Sequence, residues 1–110
     1  MEKITVFYSK SVQDYFDELI EILFEDDYFI YEENAINYVQ KLVAFINKNI
    51  QSFPHRKTPQ SLSKYGDFYI FYNSNARTTW FIFFAVKENV YLIKHITNNH
   101  SFDSKLVNET

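Results

Sequence analysis

The chain has no cysteine, one glycine and two prolines among its 110 residues. Without cysteine it forms no disulfide and offers no thiolate for catalysis or metal binding, and a reducing compartment is permitted. With so little glycine and proline, long flexible linkers have no place, and the length suits one domain. The longest apolar run, Trp80–Val86, falls far short of a membrane span. The opening residues, "MEKITVFYSK", lack the extended apolar region of a signal peptide. The expectation is a soluble cytoplasmic protein with no membrane association. Glycine-rich phosphate loops, nucleophile elbows and triad spacings are missing too. Three histidines spaced 40 and 5 apart make no recognised zinc pattern. No metal and no other cofactor is expected.

What the chain has in abundance is aromatic rings. Twelve Phe and nine Tyr supply much of the core, each removing a large area from water. Charge is unevenly spread. Residues 1–33 hold two Lys and ten Asp or Glu, a balance of −8, and residues 34–110 hold nine Lys or Arg and four acids, a balance of +5. Opposite fields on one small domain can steer a charged partner, although a solvated acidic helix explains the same numbers.

Hydropathy patterning gives the element order. Ile4–Tyr8 is β-branched and aromatic and reads as a strand. Ser11 reads as a helix N-cap, with Asp14 three residues on. Val12, Tyr15, Phe16, Leu19, Ile20, Leu23 and Phe24 then follow the helical period, with Asp14, Asp17, Glu18 and Glu21 on the solvent face. The helix should fade near Glu25-Asp26-Asp27, because acids oppose the macrodipole at a C-terminus. After a turn around Tyr28–Tyr31, a second helix is expected from Ala35, Tyr38, Val39, Leu42, Val43, Phe45, Ile46 and Ile50. The stretch "SFPHRKTPQSLSK" holds both prolines and reads as a basic loop. Strands are expected at Phe68–Tyr72, Thr79–Val86 and Tyr91–Thr97, and a frayed tail at 102–110.

Thr79–Val86 does not alternate polar with apolar, so both its faces should be covered and it should be central. The order β-α-α-β-β-β implies an α+β domain over residues 1–101. Its sheet should be four-stranded and mainly antiparallel, with two helices packed on one face. Two helices cannot reach the other face, so an exposed apolar patch is expected there, of the kind that marks a partner site. A partner protein or a second copy of the chain, a homodimer, would satisfy it equally.

The order and several local patterns resemble the RelE/ParE superfamily of bacterial toxins from toxin–antitoxin pairs. "YGDFYIFY" at 65–72 resembles the family's Gly-x-aromatic-Arg-apolar-x-Tyr strand, with Gly66, Phe68, Ile70 and Tyr72 in register. "VYLIKHITNNH" at 90–100 resembles the last strand with its basic or His ending. The resemblance implies a RelE-like endoribonuclease cutting messenger RNA on the ribosome. The alternative it implies is a non-enzymatic ParE-like inhibitor of DNA gyrase, or a degenerate member that only binds protein. In each case a cognate antitoxin is the expected partner. An unrelated α+β interaction domain also fits the order.

The family strand's Arg aligns with Tyr69 here, which removes a planar donor fork. Metal-free RNA cleavage needs a base, an acid and positive charge on the phosphorane. By the resemblance, His100 would be the acid or base, and Arg56, Lys57 and Lys64 would stabilise charge. Tyr69, Arg77, Asn98 and Asn99 would contact RNA. Each also has a plainer role: a capping histidine, solvated loop cations, a packed strand tyrosine and strand-ending asparagines. His95 should be packed within its strand, and Trp80 should anchor the core.

Overall fold

A computed structural model describes residues 3–25 and 32–100. The turn expected around Tyr28–Tyr31 and the tail at 102–110 lie outside the described residues. The elements are β1 (Thr5–Tyr8), α1 (Lys10–Glu25), α2 (Glu32–Asn49), β2 (Arg56–Lys57), a 3-10 helix (Gln60–Tyr65), β3 (Phe68–Asn73), β4 (Thr79–Lys87) and β5 (Val90–Asn98).

Helix α1 buries Val12, Phe16 and Leu19 and leaves Asp14, Asp17, Glu18 and Glu21 exposed. Its cap is Ser9, not Ser11: the Ser9 hydroxyl accepts the Val12 N–H at 3.3 Å. Ser11 sits inside the first turn, where its hydroxyl meets that of Ser9. Helix α2 buries Ala35, Val39, Leu42 and Ile46 at helical spacing.

The sheet has five strands in the order β1-β5-β4-β3-β2, not four. β1 runs parallel to β5, and every other pair is antiparallel. The extra strand falls inside the proline-bounded loop, where Arg56 and Lys57 pair with Tyr69 and Phe68. Two residues are too few to show a period, so backbone pairing alone reveals them.

β4 is central, as its continuous apolar pattern requires. Trp80, Phe81, Ile82, Phe83 and Phe84 are all buried. Trp80, Ile82 and Phe84 face the two helices, together with Ile70, Tyr91, Ile93 and Ile96. On β5 those apolar positions break parity between Ile93 and Ile96. The register explains it: Phe84 opposes Ile93 and Phe83 opposes His95, so Lys94 is bulged out and both isoleucines reach the same core.

The second face is not bare, which corrects the expectation of a wholly uncovered sheet. Leu62 of the 3-10 helix packs with Tyr69, Phe81 and Phe83 in a separate core, flanked by Tyr65 and Phe71. Fully burying a ring such as Phe83 is worth roughly 1.5–3 kcal/mol. A short helix that begins directly after Pro59, in a polar stretch, supplies this cover. What stays open on that face is a strip on β1 and β5: Phe7 (55% exposed), Val90 (44%) and Leu92 (38%). Phe7 opposes Leu92 in the ladder, and Thr5 opposes Val90.

The chain leaves the 3-10 helix and enters β3 through Gly66, whose φ is +119°. A Cβ there would lie 2.4 Å from the Phe84 carbonyl oxygen. Only glycine fits both the angle and the space. Gly66→Ala should therefore cost about 3 kcal/mol or more, read as a lowered urea midpoint. Leu62→Ala should cost about 2–5 kcal/mol through the cavity it leaves over Phe83. A Leu62→Ala variant as stable as the parent would mean that the 3-10 helix does not cover the sheet.

Candidate functional site

The polar residues that end the apolar hairpin form one hydrogen-bonded cluster. Asn99 closes the open end of the β4–β5 pair: its Oδ1 accepts the Thr79 N–H at 2.9 Å, and its Nδ2 donates to the Arg77 carbonyl at 2.9 Å. The Asn98 side chain accepts the His100 N–H at 2.9 Å. His100 Nε2 lies 3.3 Å from the Thr78 hydroxyl. Asn75 accepts the N–H groups of Arg77 and Thr78, which fixes the β3–β4 turn in an Asx geometry. A second chain runs inward, as the Trp80 indole N–H donates to the Tyr38 hydroxyl and that hydroxyl meets Ser74.

Beside this cluster lies a cleft of about 580 Å³. Leu19, Ile22 and Leu23 of α1, with Tyr38 and Trp80, give it an apolar side, and Arg77, Asn98 and His100 give it a polar one. Four of the residues named from the sequence, Arg77, Asn98, Asn99 and His100, therefore gather at one end of the sheet. Thr78, Tyr38 and Trp80 join them there. Trp80 was legible as a core anchor, but nothing in its spacing showed that its N–H is held by α2.

Arg56, Lys57, Lys64 and Tyr69 are elsewhere. Arg56 opposes Tyr69 on the far edge of the sheet, and its guanidinium sits 5.0 Å over the Phe71 ring. Lys64 lies 5.0 Å over Tyr65, and Tyr65 stacks flat on His95 at 3.7 Å. His95 is thus packed against a ring. Lys57 flanks a separate recess with Thr58 and Asp67. Tyr69 is 6% exposed and wedged against Phe81 and Phe83. Tyr69 lies three residues down the sheet from the row of Trp80 and Asn98, and β2 lies three strands across from β5. Those steps put Arg56 and Asn98 roughly 17 Å apart along the backbone grid. The rings beneath Arg56 and Lys64 belong to the second face, while His100 lines the cleft on the helix side, so His100 and these cations do not face one phosphate position.

The open strip of Phe7, Val90 and Leu92 carries no residue named from the sequence. Its available signal was a phenylalanine at an outward position of the first strand. Among the described residues, no group of three His, Asp or Glu side chains could hold a metal ion. No described helix is long and apolar enough to cross a membrane. Compared with protein-family models, curated proteins and solved structures, the chain finds no match.

Two phenols next to these sites have shifted acidity. Burial pushes Tyr8, which donates to Asn47 Oδ1 at 2.6 Å, up to about 12. Burial, reinforced by Glu18 and Tyr38, does the same to Tyr15, which packs edge-on to Trp80. Both are raised from 10.0, the value expected when unfolded. Their contribution to stability is complete below pH 10 and is lost as pH rises towards 12. The urea midpoint should fall across that window, and Tyr8→Phe should flatten part of the fall. A midpoint constant from pH 9 to 12 would contradict the burial of both rings.

Proposed function

We propose that the protein is a RelE/ParE-like toxin module that acts by gripping another protein, as a gyrase-type inhibitor or antitoxin-bound member would, and not by cutting RNA. The observation that carries this reading is the dispersal of the nuclease candidates. Tyr69, at the position of the family's arginine, is packed into the second core. Arg56 and Lys64 lie over Phe71 and Tyr65, rings of the second face, whereas His100 lines the cleft against α1 on the helix side. Without a shared phosphate position, a base, an acid and a charge clamp cannot act in one step. The observed order β-α-α followed by strands agrees with what the resemblance implies. The apolar strip of Phe7, Val90 and Leu92 supports a protein partner, because it is contiguous across the β1–β5 pair.

One arrangement favours the endoribonuclease as a second reading. His100 and Arg77 share the cleft beside Trp80 and Tyr38. There a proton carrier and a cation stand next to Tyr38, a half-buried ring on which a base could stack. Such an enzyme would use His100 with Arg77, and would leave Arg56, Lys57 and Lys64 to hold the substrate at a distance.

Induced expression in a bacterial host separates the two. Growth arrest by the full chain should persist in a His100→Ala/Arg56→Ala variant and vanish in a Phe7→Ser/Leu92→Ser variant. Messenger-RNA fragments that appear with the parent and disappear with His100→Ala would overturn the binding reading. A parent chain that leaves growth unchanged would remove the toxin assignment.

A further inference from the structure

We infer that the outer edge of β1 is a docking site for an extended, basic segment of a partner protein, which joins the sheet as a sixth strand. The inference rests on the binding reading above and adds where the partner lies and what its chemistry is.

Three observations meet at this edge. The first is the backbone. Thr5 N–H donates to Asn89 O and Ser9 N–H to Ile93 O, both at 2.9 Å. With the parallel register of β1 on β5, odd residues turn their backbone groups to β5 and even residues turn theirs outward. The Tyr8 carbonyl is taken by the Gln13 side chain at 2.8 Å. Among the described residues, nothing takes the N–H and C=O of Val6 or the N–H of Tyr8. An unprotected edge of this kind is a template for another strand.

The second is that both faces of that edge offer a seat for side chains. On one face Phe7 stands open beside Leu92. On the other, a groove of about 350 Å³ runs along the strand, walled by Phe16 of α1 and Val43 of α2. A strand added beside β1 would send alternate side chains to these two places.

The third is charge, and it chooses the occupant. Gln13 borders the groove, and Asp17 and Glu21 follow it at four-residue steps along the same stripe of α1, both exposed. Asp14 is beside them, paired with Lys10 at 3.1 Å. Lys3, exposed, lies at the opposite end of the strand. A second copy pairing through β1 would bring two such acidic helices together, and a four-residue strand buries far less than the roughly 1,200 Å² of a stable interface. A basic strand meets the same surface with opposite charge.

The test uses the full chain as bait for a random linear peptide library displayed on phage. Selected peptides should alternate apolar residues and carry Lys or Arg. In amide exchange, the strongest binder should protect Val6 and Tyr8. Asp17→Lys/Glu21→Lys, both on the solvent face, should weaken it about tenfold and reduce its salt dependence. Phe7→Ser should weaken it as well. Acidic binders, binders that leave the Val6 and Tyr8 amides unprotected, or no binder at all would overturn the inference. So would a chain that sediments as a dimer and whose Val6 and Tyr8 amides are already protected without peptide. If growth arrest still depends on Phe7 and Leu92 while those amides stay open in the presence of binder, the edge proposal fails and the binding reading stands.

Discussion

Two faces of one aromatic strand have to leave water, and the chain has only two long helices with which to do it. Both helices lie on the same face of the sheet, where Trp80, Ile82 and Phe84 meet Val12, Leu42 and Ile46. The alternate residues, Phe81 and Phe83, need a separate cover. It comes from six residues of 3-10 helix, whose Leu62 closes over Phe83. That cover depends on the passage at Gly66, where the backbone crosses the Phe84 carbonyl too closely for any side chain. A 3-10 helix is poorly bonded internally and short by nature, so its place is set by what it packs on and by how the chain leaves it.

The same economy of cover shapes the rest of the surface. The 3-10 helix reaches as far as His95, which Tyr65 stacks upon, and stops there. Towards the start of β5 the second face is left to Phe7, Val90 and Leu92. At the other end of the hairpin, apolar pairing gives way to asparagine side chains that satisfy the backbone of the neighbouring turn. Asn98-Asn99-His100 is therefore first a closure of the sheet, in which buried strands hand their last polar groups to side chains instead of to water. Any chemistry at His100 is built on that closure.

The fold keeps the two charge regions on different elements. The acids of α1 line the solvent side of one helix, next to the open edge of β1. Arg56 and Lys57 sit on β2, at the other edge of the sheet. A partner that senses the field of this domain would meet unlike surfaces at its two edges. The proposed binding role and the proposed docking edge both use that asymmetry, and neither needs the cations and His100 to share a site.

Periodicity alone determined both helices, the three long strands, the central position of Thr79–Val86 and the acid face of α1. The helices rest on a repeat long enough to be read from neighbouring residues, and the central position of Thr79–Val86 on an apolar run that does not alternate. The tertiary structure decided what depends on partners distant in sequence. Arg56 and Lys57 became a strand because the edge of β3 was open to them. Lys94 was expelled so that Ile93 and Ile96 could share a core. A loop became the roof over Phe83, and Tyr69 was packed while Arg77 and His100 were brought to one cleft. Sequence spacing carries the local period of an element. Which side chains meet is fixed only when the sheet's register and its cover bring remote segments together.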